Sequence, residues 1–172
     1  VDKAFARTGI QSYLVDEALS EVQRRASAHL EVLAGGSLTL ELSATRKAKS
    51  RAGTVERIEK IVQARGPHGE WHQRTVRQLS GGEQRRVALA LTLAFSEFAL
   101  ARDGSECDLL VLDEVLQSLD GEGTARAAAL LRLHPSRTVI VIAQAHSTLT
   151  QLVDDVDVVA KHAGLSGIIR ET

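Results

Sequence analysis

Two consecutive carboxylates, Asp113 and Glu114, follow an unbroken aliphatic run at residues 109–112. Such a run is typical of an interior strand of a parallel sheet, and α/β sheets bind their ligands at the carboxyl ends of those strands. Asp113 could hold Mg²⁺ through water, and Glu114 could orient or deprotonate an attacking water. Taken alone, the pattern fits equally well a buried strand that ends in a polar turn.

A second candidate site lies earlier, where Ser80, Gly81 and Gly82 precede a long apolar stretch. Ser80 with Glu83 three residues later matches a capping box and predicts a helix N-terminus. A capping box does not account for the two glycines, because glycine costs about 1 kcal/mol relative to alanine inside a helix. Backbone without side chains can approach a phosphate closely, so the segment predicts a phosphate-contacting helix end.

Three motifs in this order resemble those of ABC-type ATPases. The signature motif is matched by LSGGEQRR at residues 79–86, and Walker B by LLVLDE at residues 109–114. The D-loop, which follows Walker B, is matched by Ser118, Leu119 and Asp120. The resemblance implies that the chain is part of an ATPase that uses ATP and Mg²⁺.

Within that superfamily the chain most resembles the C-terminal lobe of SMC, RecN and SbcC-type heads, which serve DNA double-strand-break repair and chromosome maintenance. The resemblance covers nearly the whole chain and is strongest over residues 78–146. It implies an α/β fold: half of a P-loop ATPase head, mainly a parallel sheet flanked by helices, with an antiparallel hairpin region near the N-terminus. In these proteins two heads enclose two ATP molecules, so a homodimer of heads is expected.

The resemblance assigns the residues of this chain to two different nucleotide sites. The nucleotide of the partner head would be contacted by Ser80, Gly81, Gly82 and Glu83. The head's own nucleotide would be served by Asp113, through Mg²⁺, and by the catalytic Glu114. Asp120 would couple the two sites across the interface.

The chain departs from the family pattern in two respects. It contains no G-x-x-x-x-G-K-S/T segment, so the phosphate-cradling loop is expected in a separate N-terminal Walker A lobe of the same protein. Where the family has a switch histidine, the strand at residues 139–142 is followed by Ala143 and Gln144, and His146 comes two residues late. Gln144 is the better positional match, but His146 remains an alternative, as does a purely capping role for it.

The pattern of apolar residues predicts the elements that must position these groups. We expect one domain, with the end of a coiled coil and a helix in residues 1–34 and a strand and hairpin region in residues 35–78. The signature helix and ATPase sheet would occupy residues 79–172. Residues 45–53 are predicted as a basic loop, residues 55–64 and 71–76 as hairpin strands, although 55–64 also fits a helix. Buried strands are predicted at 109–112, 139–142 and 156–159, a last strand around 168–169, and helices at 80–102, 121–133 and 147–153.

Composition limits the remaining function classes. The chain has 172 residues, a net charge of -1 and a single cysteine, Cys107, which fits an intracellular, reducing compartment and allows no internal disulfide. No apolar stretch is long enough for a membrane span, so no membrane partner is expected. DNA is an expected partner: Arg46, Lys47, Lys49 and Arg51 could contact its phosphates, or form a solvated loop. A nuclease subunit is a further partner that the resemblance implies.

Two other functions share the same motifs. The nucleotide-binding domain of an ABC transporter has all three, but transporters commonly place a proline where Gly121 follows Asp120. A degenerate head that dimerises without hydrolysing ATP is the second alternative, because glutamine at position 144 cannot carry positive charge.

Overall fold

The computed structural model describes residues 7–49, 53–104, 107–116, 119–133, 137–144 and 153–171. Three helices and seven strands occur in these ranges: α1 (Arg7–Ala34), β1 (Leu38–Lys49), β2 (Gly53–Arg65), β3 (Trp71–Arg74), α2 (Gly81–Asp103), β4 (Leu109–Asp113), α3 (Gly121–Arg132), β5 (Thr138–Ile142), β6 (Val156–His162) and β7 (Leu165–Glu171). A 3₁₀ turn, Val76–Gln78, leads into α2. The candidate His146 and residues 147–152 of the helix predicted at 147–153 lie outside the described residues.

The predicted α/β class is confirmed, and its central unit is β4–α3–β5. Strands β4 and β5 pair in parallel with Asp113 opposite Ile142, so both strands end at the same edge. The last two strands, β6 and β7, form an antiparallel hairpin. Among the described residues, β4 and β5 are therefore the parallel pair that can present a ligand site at its carboxyl edge.

The region before α2 is an antiparallel sheet in the order β1–β2–β3. The hairpin prediction is confirmed, and the helical alternative for residues 55–64 is wrong because all of these residues pair with β1. The predicted loop at residues 45–53 is also wrong over residues 45–49 and at Gly53, which belong to β1 and β2. Backbone hydrogen bonds between β1 and β2 continue through these residues, although their sequence lacks the apolar alternation typical of a strand. The predicted division of the chain into three regions stays a prediction.

The core lies where α1 packs on α2, on β1 and on α3. One face of α1 is fully buried through Val22, Ala26, Leu30 and Leu33. These residues recur at three- and four-residue spacing, which places them on one side of a helix. The amide of Leu42 donates to the Gln23 side chain over 2.7 Å and fixes β1 to α1.

Truncating the centre of this core should destabilise the fold strongly. Replacing the fully buried Leu30 with alanine should lower the free energy of unfolding by about 2–5 kcal/mol, because burial is lost and a cavity remains. Urea denaturation followed by circular dichroism measures the change. The control is Leu14→Ala on the same helix, where the side chain is 46% exposed and little should change. Equal losses in the two variants would contradict this packing.

A cluster of charged side chains also connects α1 to α2. Glu97 of α2 lies 3.0 Å from Nε2 of His29 and 3.5 Å from the Arg25 guanidinium, and all three side chains are largely buried. Because burying unpaired charges is costly, this arrangement fixes how α2 lies along α1. The C-terminal half of α2 is therefore held against α1 by both apolar and ionic contacts.

The predicted burial of β4 and β5 is only partly met. One face packs on the core through Leu112, but Leu109, Val111, Ile140 and Ile142 are each about half exposed. The β6–β7 hairpin, which contacts mainly itself, exposes Val159, Leu165 and Ile168 even more. Within the described ranges, no helix is long and apolar enough to cross a membrane.

Candidate functional site

The N-terminus of α2 forms as the sequence predicts. The Ser80 amide donates to the Glu83 carboxylate over 2.7 Å, and the Glu83 amide donates to Ser80 Oγ over 3.3 Å. These two bonds complete a capping box and give the helix a defined first residue. The side chain of Gln84 donates to the carbonyl of Leu79 over 2.9 Å and holds the preceding strand-like residue against the helix.

The first residue of this helix, Gly81, faces open space. An ideal Cβ built on Gly81 would have no atom within 4 Å, so packing within the described part of the chain does not require glycine there. The residue is exposed and lies beside amide groups at the positive end of the α2 dipole. Ser80, Gly81, Gly82 and Glu83 thus lie together at one accessible helix end, which suits an anion brought by another molecule.

The two carboxylates lie at the carboxyl edge of the β4–β5 pair. Asp113 is the last residue of β4, and its side chain is exposed. Glu114 follows with a backbone φ of +51°, in the left-handed region that few residues other than glycine adopt. Its amide donates to the carbonyl of Ile142 over 2.9 Å, so the end of β5 holds this strained conformation. Backbone strain of this kind is concentrated at functional sites.

Gln144 lies directly beside Glu114. Its side-chain amide donates to Glu114 Oε1 over 2.5 Å, and both residues follow paired ends of parallel strands. The structure therefore brings Glu114 and Gln144 together from positions 30 residues apart. The other predicted switch candidate, His146, lies outside the described residues, and the catalytic roles of Glu114, Gln144 and His146 stay predictions.

Asp120 caps the N-terminus of α3. Its Oδ1 accepts hydrogen bonds from the Gly123 amide over 2.7 Å and from Nη2 of Arg86 over 2.8 Å. The Gly123 amide, first, and the Arg86 guanidinium, second, hold the pKa of Asp120 below its usual value. Sequence reasoning missed Arg86, which lies on α2, because no local spacing relates it to Asp120.

Asp113 has the chemistry that Mg²⁺ prefers, a hard and accessible carboxylate oxygen. Among the residues that the structure describes, no group of three or more His, Cys, Asp or Glu side chains could hold a metal ion. A site with one or two protein carboxylates, completed by water and nucleotide phosphates, is the usual arrangement for Mg²⁺ in ATPases. The residues present therefore fit a nucleotide-associated Mg²⁺.

Comparison with known sequences places these groups in a recognised context. Residues 44–133 match the family described as SbcC/RAD50-like, Walker B motif. An uncharacterized ABC transporter ATP-binding protein of Haemophilus influenzae is 33% identical over 81 residues, 47% of this chain and 29% of that protein. The matched family segment contains α2, β4 and the whole of α3, and so all of the described candidate residues except Gln144.

Solved structures of SMC heads share the fold. An SMC structure from work on ATP-driven dimerization and DNA-stimulated activation of SMC ATPases has a TM-score of 0.70 at 16% identity, covering 93% of this chain and 89% of that one. An Smc head bound to the C-winged helix domain of ScpA gives 0.65 at 22% identity over 90% of this chain. The SMC head domain from Thermotoga maritima gives 0.58 at 22% identity over 94%. The chain spans only 43% and 51% of the last two.

Proposed function

The chain belongs to the SbcC/RAD50-like Walker B family, and on that premise we propose that it is the C-terminal lobe of an ATP-hydrolysing head that works as a head-to-head dimer. The observation that carries this proposal is the pairing of Glu114 with Gln144 at the carboxyl edge of β4 and β5. Glu114 is a carboxylate fixed by a strained backbone, and Gln144 beside it is a neutral hydrogen-bond donor. Together they can orient a water molecule for attack on a phosphate.

Each residue of this edge has a defined task in the proposed reaction. Asp113 would hold Mg²⁺ through water, and the ion supplies neutralisation of the phosphate charge when it is bound. Glu114 accepts a proton from the attacking water or orients it. Gln144 holds the Glu114 carboxylate in place and can donate a hydrogen bond to a γ-phosphate, although it cannot add positive charge.

The helix end at Ser80 serves a different nucleotide in this proposal. The space around Gly81 is open, and nothing in the described chain fills it. We assign that space to the ATP bound by a second head, with Ser80, Gly81 and Gly82 meeting its γ-phosphate. Each head would then contribute to two sites, and neither site would be complete in one head.

The exposed apolar strands indicate what completes the head. Leu109, Val111, Ile140 and Ile142 alternate along two neighbouring strands and share one face of the β4–β5 pair. A large exposed apolar patch normally marks a covered surface. We assign its cover to the Walker A lobe of the same protein; this chain joined by that lobe is called the completed head below.

The isolated chain should show no saturable binding of ATP. The phosphate-cradling loop is absent from its sequence, and the residues that it does have contact a nucleotide only at its edges. Isothermal titration of the chain with Mg·ATP measures this, and the completed head is the positive control. Tight, stoichiometric binding by the isolated chain would contradict the placement of the nucleotide site.

The family supports an SbcC-like machine that acts in DNA repair or chromosome maintenance, with DNA and a nuclease subunit as partners. The sequence relative from Haemophilus influenzae favours a second candidate, the ATP-binding domain of an ABC transporter. The described N-terminal region supports the first candidate: a 28-residue helix and an antiparallel sheet precede the signature helix, and the fold is similar to that of an SMC structure over 93% of the chain. DNA-stimulated ATP turnover by the completed head would support the first candidate, whereas turnover indifferent to DNA would favour the second.

A further inference from the structure

Arg86 joins the two parts of the candidate site that lie on different helices. It lies on α2, six positions after Ser80, and its Nη2 donates to Oδ1 of Asp120 over 2.8 Å. The same oxygen accepts from the Gly123 amide and caps α3. One carboxylate oxygen therefore connects the helix that begins at the signature to the helix that begins just after the D-loop.

Gly123 leaves room for this contact. An ideal Cβ on Gly123 would lie 2.7 Å from Asp120 Oδ1 and 2.9 Å from Arg86 Nη2, closer than real side chains approach. Any larger residue would push the guanidinium or the carboxylate away. Glycine is a poor helix former, so its presence in the buried first turn of α3 is accounted for by the Arg86–Asp120 pair.

The pair has features that do not favour stability. The Arg86 side chain is only 16% exposed, and in the described part of the chain its buried Nε has no hydrogen-bond partner. A buried donor without an acceptor opposes folding. The Asp120 side chain is 67% exposed, and ion pairs with so much solvent contact stabilise a fold weakly. A role in positioning explains this arrangement better than a role in stability.

We propose that Arg86 is a positioning residue of the ATPase cycle, which keeps Asp120 in fixed register with the signature end of α2. The inference rests on the proposed function, in which Ser80, Gly81 and Gly82 meet the partner's nucleotide and Asp120 lies at the same interface. Because the Arg86 guanidinium links them, the signature end of α2 and Asp120 move together. Closure of the signature end on the partner's nucleotide therefore brings Asp120 into its position at the other site. Arg86 touches no nucleotide itself and acts through Asp120.

The test compares steady-state ATP hydrolysis by completed heads that carry Arg86→Gln, Asp120→Asn or both. Each single change should lower kcat about tenfold with little change in KM for ATP, and the double variant should be no slower than the slower single one, because both remove the same contact. Arg86→Lys should recover part of the rate. The matched control is Arg126→Gln, which removes another arginine–carboxylate pair, 2.7 Å to Glu122 within α3, and should leave kcat unchanged.

Two results would overturn the inference. If Arg86→Gln has the same kcat as Arg126→Gln while its melting temperature falls, the contact is merely structural. If the losses of Arg86→Gln and Asp120→Asn multiply in the double variant, the two residues act independently. A wild-type completed head without turnover would overturn the proposed function together with this inference, and is recognised before any variant is made.

Discussion

Replacing Glu114 with glutamine should reduce ATP hydrolysis by the completed head about 10²- to 10⁴-fold, the range that loss of a general base produces. The amide keeps the size of the side chain but cannot accept a proton from water. ATP binding and ATP-dependent dimerisation should persist, because neither needs that proton transfer. Phosphate release measures turnover, and light scattering with and without Mg·ATP measures dimerisation.

The matched control for this change is Asp108→Asn. Asp108 immediately precedes the other end of the same strand and is exposed, and its backbone carbonyl accepts a hydrogen bond from the Thr138 amide over 2.6 Å. Turnover should therefore be unaffected. If the wild-type completed head is no faster than the Glu114→Gln variant, the chain is part of a head that binds ATP without hydrolysing it.

Placing a negative charge at the signature end of α2 should separate stability from activity. In Gly81→Asp the new side chain enters open space, and a carboxylate in the first turn interacts favourably with the helix dipole. Facing a γ-phosphate at about 4 Å, the same charge is repelled by roughly 4 kcal/mol per unit of phosphate charge. We expect ATP-dependent dimerisation and turnover to fall at least roughly a hundredfold while the melting temperature is maintained.

Gly81→Asn is the control, because it adds nearly the same volume without the charge. It should retain more dimerisation and turnover than Gly81→Asp, and the two variants should have similar melting temperatures. Equal activity in both would mean that size, not charge, matters at this position. Wild-type activity in both would mean that no phosphate approaches Gly81, which would contradict the proposed role of this helix end.

The parts of the fold that depend on local chemistry could be predicted from the sequence. The capping box of Ser80 and Glu83 involves residues three positions apart, and the structure forms both of its bonds. The aliphatic runs before Asp113 and before Ala143 predict parallel strands, and their pairing brings Gln144 beside Glu114. The helix predicted between the two runs is the usual connection between parallel strands, so the parallel pairing of β4 with β5 could be predicted.

Other parts depend on surfaces that the local sequence does not describe. The contact between Arg86 and Asp120 joins residues 34 positions apart, one on α2 and one at the start of α3, and both helices pack on α1, so no spacing rule could find it. The basic segment at residues 45–49 lacks apolar alternation, yet it is paired with β2. The sequence predicts that β4 and β5 are buried, but Val111 and Ile140 are about half exposed. The aliphatic sequence of these strands is explained if another part of the head covers their exposed face, and we assign that role to the Walker A lobe.

Mixing two inactive completed heads tests most directly whether one chain serves two nucleotide sites. A head with Gly81→Asp keeps its own Asp113 and Glu114, whereas a head with Glu114→Gln keeps its signature end. In a mixed dimer one site combines the two intact halves, so each mixed dimer that forms should turn over ATP at about half the rate of a wild-type dimer if the sites are independent. When heads that carry both changes are mixed equally with wild-type heads, the mixture should show no more ATP turnover than its wild-type dimers contribute. Failure of the first mixture to exceed its two inactive components, although mixed dimers form, would contradict the account.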